Sequence, residues 1–257
     1  MAPTADSDRR IPIICVDSST WVCAGIFNPN DWSGESRGVV QSCMTECSAL
    51  HHCAERIARL SEAPERTCQH HIHSIQQQWF MAKFDVGRAE IYGEVPELHV
   101  LIEAWFSGLK SLLDLLVQLL STEKIVNGVV DGFHRTQQGT QINYGGRVLN
   151  MLKGNASKDG KESAAKMVDL ISNHKALWID KAIMARDDLI HPQKGVYPFM
   201  FHLEFVEQES SLACVRVSPP VIGSEAVHEY AYRVLKYAHQ FSSSILAILH
   251  PEAAQQG

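Results

Sequence analysis

The sequence has no long apolar run free of charge, no excess of basic residues and none of the short glycine-rich fingerprints of nucleotide chemistry. Each absence removes a class of function. The most apolar stretch, "LHVLIEAWFSGLKSLLDLLVQLL", is long enough to cross a bilayer, but it carries Glu103, Lys110 and Asp114. Ionised groups are expensive in lipid, so a core helix is the expectation and a membrane is not an expected partner. The formal net charge is −6. Sequence-independent affinity for nucleic-acid phosphates needs a surplus of Lys and Arg, so only a local basic patch could serve that purpose. No G-x-S-x-G elbow, phosphate loop or dinucleotide fingerprint occurs, and nothing calls for an organic cofactor. Prolines are few, and no repeat of fixed period is present.

What is present fits an ordinary globular chain. Its 257 residues, 45% of them hydrophobic, suffice for one large domain with an extension. Seven cysteines are an odd number, and the opening "MAPTADSDRR" lacks the apolar stretch of a secretory signal. A reducing, cytoplasmic location with free thiols is therefore expected. Thirteen histidines are a mild excess and would bring the charge towards zero in mild acid.

Residues 1–35 read as an N-terminal arm, partly irregular, with a small hairpin within 11–35 as one option. Residues 36–257 read as a helical domain. One helix runs from about Gly38 to just before Pro64, and a second from about Glu65 to Ile91. A third has Pro96 in its first turn, where a missing N–H costs little, and ends near Ser121. Residues 122–161 are rich in Gly and Gln, with one short helical piece around "GRVLNML". They form the only basic region of any length. Helices return over 162–190, a β-hairpin follows at about 197–218, and a last helix opens at a serine cap candidate, Ser224, and stops before Pro251. The expected class is all-α: a bundle of about five long helices with one inserted β-hairpin.

The segment "IMARDDLIHP" is the most informative. On a helical wheel Trp178, Ala182, Ala185 and Leu189 form one apolar stripe, and Ile179, Ile183 and Ile190 a second. Arg186 falls between them. A guanidinium there cannot shed its charge, so it needs a carboxylate, a subunit interface or a ligand phosphate. Asp187 lies four residues before His191, and Pro192 pushes His191 out of the helical region. A histidine at a helix C-terminus beside carboxylates suits proton transfer near neutral pH. Arg66 and His71 repeat the spacing, so spacing alone selects nothing. Only the later pair joins a buried-arc arginine, a neighbouring carboxylate and a helix stop.

With its helical surroundings, "ARDDLIHP" resembles the R-x4-6-H signature of the HEPN superfamily, in which a polar residue often follows the arginine. Arg186, Asp187 and His191 match those positions. The resemblance covers the motif and the helical layout, but not residues 1–35 or the hairpin. It implies a homodimer whose two motifs meet in one cleft, acting on RNA without a metal. The implied catalytic residues are Arg186 holding the phosphate, His191 moving protons and Asp187 orienting His191 or the RNA. The implied products are a cyclic phosphate and a 5′-hydroxyl. Many relatives of this kind are noncatalytic assembly modules, so the same chain could be a dimeric interaction module, with Arg186 on a carboxylate such as Glu103 or Asp114. A neutralising partner protein fits either reading.

A third reading rests on "CMTECSALHHC" and "CQHHIH". Cys43, Cys47 and His51 share one helical face, where adjacent members of an i,i+4 series meet. The outer two are about 12 Å apart along the axis, so a zinc site would need a second helix, for example through Cys68, His70, His71 or His73. The spacing matches no zinc finger, and the expectation is buried cysteines with surface histidines and no metal. One Glu-x-x-His match, Glu225 and His228, is too little for a di-iron bundle.

Overall fold

The computed structural model describes residues 23, 26–82, 87–126, 132–138, 141–159, 162–190, 199–209 and 211–251. Their order is a 3₁₀ turn at Pro29–Asp31, then helices α1 (Gly34–Ser61), α2 (Pro64–Thr67) and α3 (Gln69–Ala82). Strand β1 (Arg88–Glu94) precedes helix α4 (Pro96–Thr122), and strands β2 (Arg135–Gln138) and β3 (Gln141–Tyr144) precede α5 (Gly146–Asp159). Helix α6 (Glu162–His174) continues through a π-helical turn (Lys175–Ile179) into α7 (Asp180–Ile190). Strands β4 (Met200–Gln208), β5 (Ser211–Ser218), β6 (Val221–Ile222) and β7 (Glu225–Ala226) lead to α8 (Val227–Leu249). The protein is mostly helical. No helix among the described residues is long and apolar enough to cross a membrane.

The chain divides into two units: residues 1–52, 106–187 and 234–257 form the first, and residues 53–105 and 188–233 the second. In the first unit, Val40, Cys43, Cys47 and Leu50 of α1 are buried at helical spacing, which makes one apolar face. That face meets α4 in antiparallel fashion. Ser36 Oγ donates to Glu123 Oε1 (2.5 Å) at one end, and Leu50 lies against Gly108 at the other. A Cβ on Gly108 would sit 3.1 Å from Leu50 Cδ2, so the missing side chain permits the close approach. Asp114 of α4 reaches the opposite way, accepting from the Phe133 backbone N–H (2.8 Å) and pairing with Lys110.

Phe133 is buried beneath the turn after the β2–β3 hairpin. Gly145 there has φ +68°, and an added Cβ would lie 2.3 Å from Phe133 Cδ1. Gly145→Ala is therefore expected to cost ~1–2 kcal/mol for left-handed backbone plus ~1–3 kcal/mol for displacing a packed ring. A urea midpoint equal to that of wild type would show that this packing is not tight.

The π turn completes the first unit's core. Trp178 is buried, with its ring edge-on to Phe241 of α8 at 6.2 Å between centroids. Its Nε1 donates to His174 Nδ1 (2.9 Å), so His174 is held neutral as an acceptor, and burial lowers its pKa below 6.5. In the unfolded chain that proton binds more readily. Stability from this group is therefore complete above 6.5 and falls with pH down to the folded value. His174→Asn keeps an acceptor near the indole and should flatten that fall, as read from urea midpoints at about pH 7.5 and about pH 5. An unchanged slope would remove His174 from the explanation.

The second unit holds a three-stranded antiparallel sheet of order β1-β4-β5. Phe201, Leu203 and Phe205 are buried in alternation along β4, the period of a strand with one covered face. Helix α3 supplies cover: the His71 ring approaches Gly93 of β1, and Gln76 Nε2 donates to the Leu212 carbonyl (2.8 Å). On the other face, Glu204 lies between Arg88 (3.0 Å) and Arg216 (3.7 Å) on the flanking strands.

Several expectations change. The second helix does not reach Ile91: α3 ends at Ala82, and residues 88–94 are a strand. Gly87, at φ +55°, opens a segment whose backbone is satisfied by β4, from Arg88↔Val206 to Glu94↔Met200. The inserted hairpin is thus two strands of a three-stranded sheet. The basic stretch 122–161 contains a hairpin of its own and a 14-residue helix. Ser224 is not the cap of the last helix, because it lies in the β6–β7 turn and α8 begins at Val227. The hairpin considered within 11–35 falls mostly outside the described residues.

Candidate functional site

Arg186 and Asp187 lie on the C-terminal half of α7. Arg186 follows buried Ala182 and Ile183 by four and three residues, so it shares their face. Its side chain nevertheless keeps 31% of its exposure. Trp178, Ile179, Ala182, Ile183 and Leu189 are buried as the wheel has them, and the partial exposure of the Arg186 guanidinium is the departure from it. Arg186 therefore sits at the rim of the apolar stripe. Its Nη1 donates to Asp187 Oδ1 (3.0 Å), and its Nε is buried with no hydrogen-bond partner among the described residues. The carboxylates expected as alternatives are otherwise engaged: Asp114 by Lys110 and Phe133, and Glu103 beside His99 (3.7 Å).

Asp187 is held from its other oxygen. Tyr144 Oη donates to Asp187 Oδ2 (3.0 Å), and Tyr144 is itself buried at the end of β3. Tyr144 belongs to the basic stretch 122–161, so that stretch meets the arginine motif through this hydrogen bond. Sequence reading singled out Arg186 and Asp187 but not Tyr144, whose signal would have been the register of a hairpin. His191 lies outside the described residues.

No protein-family model, curated protein or solved structure matches this chain.

A second constellation lies in the same unit. Cys47 and His51, one turn apart on α1, meet Cys23 and His239 of α8. One side-chain donor atom from each of the four lies within 4.8 Å of all the others. His51 Nε2 and His239 Nε2 are 2.9 Å apart, and Cys47 Sγ is 3.3 Å from His239 Nε2. Both cysteines are fully buried and both histidines half-buried. Burial and the neighbouring His51 lower the His239 pKa to about 4. The Cys47 thiol is pushed well above its ordinary value by its hydrogen bond with Cys23, then by burial. Cys43, one turn earlier, rises to about 12 through burial, but it does not belong to the group. No disulfide joins the described cysteines.

The expectation of buried cysteines with surface histidines thus changes at His51, which is half-buried against His239. The helix that completes the group is α8, not the one carrying His70, His71 and His73. No local spacing could reveal this, because His239 is 188 residues beyond His51.

Proposed function

We propose that the chain is an HEPN-like homodimer built on a helical bundle that cleaves RNA without a metal in the chemistry. The observation that carries this reading is Arg186: partly exposed, tied among the described residues to its own neighbour, with a buried Nε–H that none of the described residues matches. A guanidinium in that state is an incomplete donor set, and a phosphate oxygen completes it. In the reaction the RNA 2′-oxygen bonds to phosphorus as the P–O5′ bond breaks. The 2′-hydroxyl proton leaves, and a proton reaches the departing 5′-oxygen; His191 performs these transfers. Arg186 offsets the charge that builds on the nonbridging oxygens. Asp187, anchored by Tyr144, aims Arg186. Basic residues of the 122–161 stretch, including exposed Arg147 and Lys153, guide the strand despite the overall charge of −6.

The test is incubation of labelled mixed-sequence RNA with untagged protein in magnesium-free buffer, alongside His191→Ala and Arg186→Ala. Expected are cyclic-phosphate and 5′-hydroxyl ends from wild type, lost in both variants at unchanged dimer content. RNA left intact by a dimeric wild type would instead identify the noncatalytic interaction module, and a search for a neutralising partner protein would follow.

A further inference from the structure

We propose that Cys23, Cys47, His51 and His239 bind one zinc ion in a closed tetrahedral site. Zinc–sulfur bonds of about 2.3 Å and zinc–nitrogen bonds of about 2.05 Å put tetrahedral donors about 3.3–3.8 Å apart. The observed separations, 2.9 and 3.3 Å for two of the pairs and no more than 4.8 Å for any, bracket those values. Small rotations of the side chains would seat the ion.

The donor set names the metal class. Two thiolates and two imidazoles in a tetrahedron suit zinc rather than magnesium or calcium, which take oxygen ligands. A two-iron cluster would hold its cysteines and histidines on different irons, and the mutual closeness of all four donors excludes that spread. Charge balance also favours the ion. As Zn²⁺ enters, the two thiols release their protons to solvent and the imidazoles stay neutral. The buried site therefore gains no net charge, which limits the cost of desolvating the ion.

Four protein ligands leave no position for water or substrate, so the site is structural, not catalytic. It fastens Cys23 and helix α8 to one turn of α1. This is independent of the RNA reading, because none of the four residues is Arg186, Asp187, Tyr144 or His191.

The test is metal analysis of untagged protein purified under reducing conditions, with cobalt substitution as a second readout. Wild type is expected to hold one zinc per chain. Its cobalt form should show the visible bands of a tetrahedral site and a thiolate-to-cobalt charge-transfer band. Cys47→Ser and His239→Asn should each weaken binding by more than about a hundredfold, since even outer-shell changes cost about 10–100-fold. Cys43→Ser, equally buried on the same helix, should keep the metal. If a ligand variant fails to fold, competition of wild type against a chromophoric chelator gives the affinity directly. The proposal is overturned if wild type refolded with excess zinc and then dialysed retains none and gives no cobalt bands. It is equally overturned if native protein carries a Cys23–Cys47 disulfide by non-reducing mass spectrometry.

Discussion

Arg186→Ala is expected to slow RNA cleavage by about 10²–10³-fold, or ~2.7–4 kcal/mol of transition-state stabilisation, while the unfolding midpoint hardly moves. The two halves of this expectation come from the same geometry. A donor aimed at developing negative charge acts mainly in the transition state, so its loss appears in kcat more than in KM. The folded state, by contrast, gains little from this side chain. Among the described residues its pairing is with the adjacent Asp187, both groups being partly exposed, and such pairs contribute about 0–1 kcal/mol. Removing it also removes a buried N–H that has no partner among the described residues, which offsets part of even that loss.

Arg186→Lys should recover little, because an ammonium cannot present the planar fork that spans two phosphate oxygens. Tyr144→Phe should cost less than Arg186→Ala, since Asp187 would lose one anchor but keep its contact with Arg186. Cleavage by Arg186→Ala at the wild-type rate would end the phosphate-binding role. A loss of activity matched by an equal loss of folded protein would make Arg186 a structural residue.

Trp178→Ala should lower stability by ~3–5 kcal/mol. Trp178 is among the largest fully buried side chains, and three interactions disappear with it. The indole leaves a cavity that its surroundings fill only in part. The edge-on contact with Phe241 at 6.2 Å is worth ~0.5–1.5 kcal/mol beyond area. His174 Nδ1 would lose its donor. Globular domains hold about 5–15 kcal/mol in total, so this one change would remove a large share. At about 2–4 °C per kcal/mol for a chain of about this size, Tm should fall by roughly 10 °C.

Trp178→Phe separates the contributions. It keeps most of the ring packing, and its remaining cost reflects the lost hydrogen bond to half-buried His174, ~0.5–1.5 kcal/mol. A Trp178→Ala penalty under ~1 kcal/mol would mean that the π turn and its neighbours repack freely, against the close packing seen around Phe241.

Much of the helical framework is legible in sequence because its signals are local. Pro96 at a first turn and a sustained apolar period place α4 within a residue of its observed end at Thr122. The hairpin of β4 and β5 is visible in alternation, clearest along β4, around a polar turn. Residues 88–94 show where local signals fail: Ala89, Ile91 and Gly93 fit the end of a helix as well as a strand. The choice was made by β4, over a hundred residues away, whose edge offers backbone partners that a frayed helix end lacks.

At the two constellations the division is sharper. Sequence alone determined that Arg186 and Asp187 lie together near a helix end, because adjacency and a following proline are facts of the chain. It also determined that Cys47 and His51 face the same way, because the helix repeat requires it. Tertiary structure alone decided what each pair meets. Tyr144 reaches Asp187 through the register of a hairpin, and packing leaves the Arg186 side chain partly exposed at the rim of its stripe. Cys23 and His239 close the four-donor group through packing between segments that have no local relation. Periodicity orients a side chain about its own helix axis, but which helix lies opposite depends on the burial of whole faces, and no short stretch of sequence carries that information.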